Sequence, residues 1–191
     1  MRRRTGRVST TAIAVLVAVS TALPAGLACA GGPIVWSAGR RLRWSDFRAS
    51  PPRGKEIRAL SGWTIEPSGL RCGADGTFDA RVRAVFLPDR SWVRGAASGA
   101  LLAHEQGHFD LAEVYARRLR RRLRDEVTPY CPGKAAAAAA QRVYDDVLDA
   151  AERESARYDA DTDHGQRSEQ QRRWRQRISA ALDRESTFRD R

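Results

Sequence analysis

Two hydrophobic periods divide the chain. Between residues 34 and 87 the period is two: Phe78, Ala80, Val82, Ala84 and Phe86 alternate with Asp79, Arg81 and Arg83, and Ile57, Ala59, Ser61, Trp63 and Ile65 form a second alternating run. Successive side chains on a strand point to opposite faces, so each run predicts a strand with one buried face. Turn residues punctuate the region at Gly39, Pro51-Pro52, 67–69 and 73–76, which predicts a small antiparallel sheet. From Gly99 the period becomes 3.6. Leu101, His104, His108, Leu111, Tyr115, Leu119 and Leu123 share one face of a predicted helix that starts after Ser98 as N-cap and stops before Pro129. A second helix is predicted over 134–157, through six alanines, with Tyr144, Val147, Leu148, Ala151 and Tyr158 on its stripe. A third, over 166–182, aligns Trp174, Ile178 and Leu182. Segment 158–165 is predicted to be the loop between them, and 186–191 to be frayed. The fold class is therefore α+β, a small antiparallel sheet followed by three helices.

The first 30 residues follow neither period. Arg2, Arg3, Arg4 and Arg7 precede an apolar run over 11–23 and the sequence Ala28-Cys29-Ala30. A basic start, a short apolar stretch and an A-x-A site predict a secretory signal peptide cleaved after Ala30, too short to remain as a membrane span. The rival reading, lipidation at Cys29, meets Gly26 where a lipobox has an aliphatic residue. Without this segment the formal charge falls from +11 to +7, because it holds four arginines and no acid. The remaining length suits one domain, placed at 31–185. Two cysteines stay behind, Cys72 and Cys131, and in an oxidising compartment an even pair predicts one disulfide.

Basic charge comes almost wholly from arginine, with Lys only at Lys55 and Lys134 and no Asn, a composition typical of a GC-rich genome. Its densest patch is 117–124. Leu119 and Leu123 keep the buried stripe there, so the arginines are expected to face water. Without interleaved aromatics this predicts no nucleic-acid partner.

Of three histidines, two lie in His104-Glu105-Gln106-Gly107-His108. Residues four apart on a helix stand one above the other, so His104 and His108 can aim both imidazoles at one metal ion, with Glu105 beside them. The bland alternative is a pair of buried, hydrogen-bonded core histidines. Catalytic zinc takes three protein ligands and keeps one position open. Asp110 and Glu113 do not complete the set, since Glu113 lies about 140° from His108 and about 180° from His104 around the helix. His164 is the remaining histidine and the expected third ligand, with Asp159 and Asp161 in reserve. Gly107 costs about 1 kcal/mol in a helix interior relative to Ala, which points either to a close approach of backbone or substrate or to a Gly that the helix simply tolerates.

These residues also carry a resemblance. Leu42, Trp44-Ser45-Asp46-Phe47, Ser91-Trp92, the run 101–113, and Tyr158-Asp159, Asp161-Thr162 and His164-Gly165 with Gln171 and Trp174 resemble the DUF922 family of predicted secreted zinc-dependent proteases of bacteria. The resemblance spans about residues 34–182. It implies a zincin-like peptidase with the HExxH helix at its active site. Asp161 stands where the family more usually has Glu, which shortens its reach.

The expected activity is hydrolysis of peptide bonds in an unidentified peptide or protein substrate. Zn2+ activates a water, Glu105 acts as general base, and Tyr158 or Tyr115 is the candidate oxyanion helper, although each also suits a core position. An extended substrate is expected to pair with a strand edge at 78–87, by analogy with other zincins. The alternative is a non-catalytic cell-envelope binding or scaffold protein with a structural or vestigial metal. The oligomeric state is not legible.

Overall fold

The structure, a computed structural model, describes residues 32–54 and 58–187. The main elements are β1 (Ile34–Val35), β2 (Ala59–Leu60), β3 (Trp63–Cys72), β4 (Phe78–Phe86), β5 (Trp92–Val93), α1 (Gly99–Val127), α2 (Ala135–Thr162) and α3 (Ser168–Thr187). The class is α+β, with the strands first and the helices after them.

β4 lies between β1 and β3, antiparallel to both. Its alternation sends Phe78, Val82, Ala84 and Phe86 into the core and Asp79, Arg81 and Arg83 outward. The second alternating run is not one strand. Ile57 lies outside the described residues, and after Leu60 the chain leaves β2, which pairs with β5, to enter β3, which pairs with β4. The turn expected at 67–69 is a bulge inside β3, where the register slips by one residue between Ser68 and Arg71. Gly69, at φ +63°, supplies its left-handed residue, and the edge position of β3 lets Pro67 stand without costing a ladder bond.

α1 begins where the sequence predicts, with the Leu101 N–H donating to Ser98 Oγ at 3.1 Å. Its buried surface, however, is far more than a stripe. Every residue from His104 to Arg117 is buried, because β3 and β4 pack on one side and α2 and α3 on others. A helix enclosed in this way must satisfy its polar side chains within the fold.

Two helix ends differ from expectation. α2 continues to Thr162 and absorbs most of the predicted loop, stopping only where Asp163 and His164 turn left-handed. α3 continues to Thr187, so residues 186–187 are helical rather than frayed, while 188–191 lie outside the described residues. The extra turn is tied to α1: Arg117 donates to the Leu182 carbonyl at 2.7 Å and to Ser186, and Glu185 pairs with Arg118 and Arg121. The arginine run is thus not a free basic face. Arg117 is buried and bonds Glu113 at 2.8 Å, Arg120 shares that carboxylate, and Arg122 pairs with Glu126.

Cys72 and Cys131 form a disulfide that ties the end of β3 to the turn after α1. Closing a loop of that length contributes about 4 kcal/mol on the chain-entropy model. No described helix is long and apolar enough to cross a membrane. The predicted signal segment and Cys29 lie outside the described residues.

Candidate metal centre

α1 presents His104 and His108 one turn apart toward α2, with ring centroids 4.8 Å apart. α2 answers with Ser155, Tyr158, Asp159 and Thr162, spaced so that all four share one helix face. Asp159 Oδ1 lies 3.0 Å from Nε2 of each histidine, and the two Nε2 atoms are 3.2 Å apart. On the far side of the rings, His104 Nδ1 lies 3.1 Å from Gln171 Oε1 of α3, and His108 Nδ1 lies 2.8 Å from Ser155 Oγ.

Hydrogen-bond direction decides what these atoms carry. The Tyr158 hydroxyl donates to the His104 carbonyl at 3.2 Å, so the Gln171 group that meets it must be the donor, Nε2. Gln171 Oε1 is then left facing His104 Nδ1, which therefore bears the ring hydrogen and leaves a lone pair on Nε2. Ser155 can receive the hydrogen that sets the same tautomer on His108. With the hydrogens so placed, Asp159 Oδ1 and the two Nε2 atoms form a nearly equilateral triangle of acceptors, 3.0–3.2 Å on a side.

A positive charge at its centre relieves that arrangement. Two imidazolium ions with nitrogens 3.2 Å apart, on side chains 1% and 8% exposed, would repel at close range without solvent to screen them. A single ion does better. A tetrahedral ion with bonds of about 2.0–2.1 Å holds its donors about 3.3 Å apart, and an N, N, O set suits zinc and related divalent metals. Imidazoles that give their other N–H to a neighbour are also the usual surroundings of a metal-bound histidine. The donor set fits a divalent metal.

His164 reaches the same cluster less tightly. Its Nδ1 lies 3.3 Å from Asp159 Oδ1, and a ring nitrogen falls within 4.8 Å of the donor atoms of His104 and Asp159. Asp159, a reserve in the sequence reading, occupies the tight triangle because α2 continues past it and holds it one turn beyond Ser155. Asp161 faces elsewhere, accepting from Trp174 Nε1 at 3.1 Å. Asp110 and Glu113 are engaged with Trp36 and Gln106, and with Arg117 and Arg120, respectively.

Glu105 is 3% exposed, and its Oε2 accepts from Ser61 Oγ at 2.6 Å. Both residues line a cleft of about 230 Å³, walled by Ala59 and Leu60 of β2 and by His108, Asp159 and His164. The strand edge expected at 78–87 is not available, since β4 is central in its sheet and the Val82 carbonyl accepts from Arg120. β2 offers an edge instead. The Arg94 N–H donates to the Arg58 carbonyl at 2.7 Å, and antiparallel pairs alternate, so Ala59, opposite Val93, turns its N–H and C=O away from β5.

Tyr158 does not reach the cleft. It is fully buried, stacked on His104 at 4.6 Å and edge-on to His108 at 4.9 Å. Burial pushes its phenol far above the ordinary range, with the Gln171 bond acting weakly the other way. It positions the imidazoles rather than meeting an oxyanion. Tyr115 lies further along α1 beneath Arg118, 4.6 Å from the ring. Gly107 is explained by the same phenol, because a Cβ there would collide with Tyr158 Oη. The close approach is made by a side chain, not by substrate. Gly165, at φ +83°, likewise leaves room for His104, whose Cβ would stand 2.8 Å from an added Cβ.

The sequence gives Ser61 and Ser155 no role at the site, and Thr162 enters it only through the family resemblance. The spacing 155, 159, 162 is a legible signal once α2 is known to extend that far; Ser61 has none, since β2 meets α1 only in three dimensions.

Fold and centre together define an α+β protein whose central helix carries a histidine pair, completed by a carboxylate from the next helix. The chain belongs to the DUF922 family, described as bacterial protein of unknown function, whose family model matches residues 52–165. The matched segment contains Ser61, Glu105 and all four donors of the cluster, while β1 and α3 lie beyond it. No curated protein and no solved structure matches the chain.

Proposed function

We propose that this protein is a zinc-dependent metallopeptidase, exported by its amino-terminal segment. The observation that carries the reading is the triangle made by two buried imidazole nitrogens and an Asp159 oxygen, with a further carboxylate, Glu105, in the same cleft. When bound, a zinc ion supplies Lewis acidity, polarising a carbonyl and making water acidic enough to lose a proton near neutrality. His104, His108 and Asp159 would hold it. Gln171 and Ser155 keep the imidazole lone pairs directed inward. Ser61 steadies Glu105 through Oε2, so this carboxylate can take the proton of the attacking water and pass it to the leaving amine. The outward N–H and C=O of Ala59 give an extended peptide main-chain partners beside those groups. Export is supported by the signal-like pattern of residues 1–30 and by the Cys72–Cys131 bond.

The test pairs metal analysis with cleavage of fluorescein-labelled, unfolded casein. The wild type should hold zinc and cut. Glu105→Gln should keep the zinc and lose activity by about 10²–10⁴-fold. A Glu105→Gln protein that cuts as fast as the wild type, or a wild type that holds no zinc, overturns the reading.

One observation favours a second reading, a structural metal in an envelope binding or scaffold protein. His164 is a fourth protein donor, and four such donors close a tetrahedral ion. That reading predicts zinc bound and casein uncut.

A further inference from the structure

We propose that His164 is an exchangeable fourth donor: it caps the metal at rest and yields to an incoming oxygen or anionic ligand, while His104, His108 and Asp159 keep hold. The inference rests on the metal reading of the centre but not on peptide hydrolysis.

The four donors are not built alike. His104 and His108 are buried, and each has its second ring nitrogen placed against a partner, Gln171 or Ser155. The His164 side chain is 46% exposed, and its one polar contact among the described residues is the 3.3 Å approach to Asp159. Nothing fixes the orientation of its ring from behind. A metal-ligating imidazole without such an anchor is easier to rotate away than one with it.

The backbone beneath it, by contrast, is tied down. The His164 N–H donates to the Asp159 carbonyl at 3.0 Å, the Gly165 N–H to Thr162 Oγ1 at 3.2 Å, and the Arg167 N–H to the Thr162 carbonyl at 2.8 Å. These bonds hold Asp163 and His164 at φ 51° and 50°, a left-handed region that costs a non-glycine residue about 1–2 kcal/mol. The turn thus delivers the imidazole to the rim of the cleft from a fixed Cα. Movement falls to the side chain, whose rotation toward solvent needs no rearrangement of the loop. Because His164 lines the cleft, the same rotation opens space beside Glu105 and Asp159, where a ligand must enter. The four-donor arrangement and an open coordination position then become two states of one site.

Cobalt substitution tests this without any substrate, using visible absorption to report coordination and azide as the entering anion. The protein, His164→Gly, His164→Asn and His104→Ala are loaded with Co2+. Glycine and asparagine both tolerate the left-handed backbone, so the loop survives in either variant. Both His164 variants should retain Co2+ with affinity reduced by no more than about tenfold, whereas His104→Ala should lose it. Azide should bind both at least about tenfold more tightly than the wild type, because capping reduces apparent affinity by the uncapped fraction. Equal azide affinity in wild type and variants, no azide binding in any, or loss of Co2+ from the His164 variants to the extent seen in His104→Ala overturns the proposal. Wild-type protein that takes up no Co2+ sinks the metal reading with it. Failure to cut casein, with the cobalt results as expected, sinks only hydrolysis.

Discussion

Two aspartates meet α1 from different directions, and their neighbours differ in one respect. Asp110, on the helix itself, accepts from Trp36 Nε1 and Gln106 Nε2, each at 2.8 Å, and its other oxygen lies 3.4 Å from Arg41. Gln106 in turn accepts from the Leu42 N–H at 2.7 Å. Every oxygen there meets a hydrogen. Asp159 meets two imidazole nitrogens, and the ring hydrogen of His104 points the other way, toward Gln171, while Ser155 can take that of His108. Both clusters are largely buried and polar, so burial alone does not distinguish a site from a structural network. Unmatched acceptors do, because a fold retains such a convergence only if something positive joins it.

The widest separation of the two clusters should come from metal. Zinc at about 1,000 times its dissociation constant stabilises the folded chain by about 4 kcal/mol, a melting rise of about 10 °C at this size. Asp159→Ala should erase the rise in a thermal scan and Asp110→Ala should keep it; equal shifts in both would end the comparison. Next in size is Asp110→Ala itself, which strands the Trp36 and Gln106 donors and should cost about 3 kcal/mol in urea unfolding with zinc affinity unchanged. Gly107→Ala acts on the Asp159 side. Its new methyl meets the Tyr158 phenol, and overpacking should cost about 2 kcal/mol and weaken zinc binding as the ring is displaced from the histidines. The smallest effect is the sharpest in sign. In zinc-free protein Asp159→Asn replaces an acceptor by an amide that can donate to Nε2, and should stabilise by about 1 kcal/mol, whereas Asp110→Asn should destabilise. A destabilised, zinc-free Asp159→Asn would show that the histidines already carry protons on Nε2.

Much of this was legible from the chain. The period of two located β4, Ser98 and Pro129 bracketed α1, and the spacing of His104 and His108 put both on one face. The role of Asp159 was obscured by the end of α2. Tyr158-Asp159-Ala160-Asp161-Thr162-Asp163 reads as a loop because Asp and Thr are weak helix formers. Packing overrides that preference: Tyr158 is clamped against both histidines, and Thr162 Oγ1 bonds the Tyr158 carbonyl at 2.6 Å. Arg117 misled for the opposite reason. Its charge predicts a watered face, yet Glu113 and the end of α3 supply enough partners to bury it.

By itself the sequence determined the order and type of the main elements and which histidines share a helix face, because periodicity and capping are local properties of the backbone. Only the tertiary structure decided which oxygen joins them and where their hydrogens lie. Asp159 comes from 55 positions after His104 and Gln171 from 67, and an imidazole takes its tautomer from whatever stands behind it, which no spacing along the chain records.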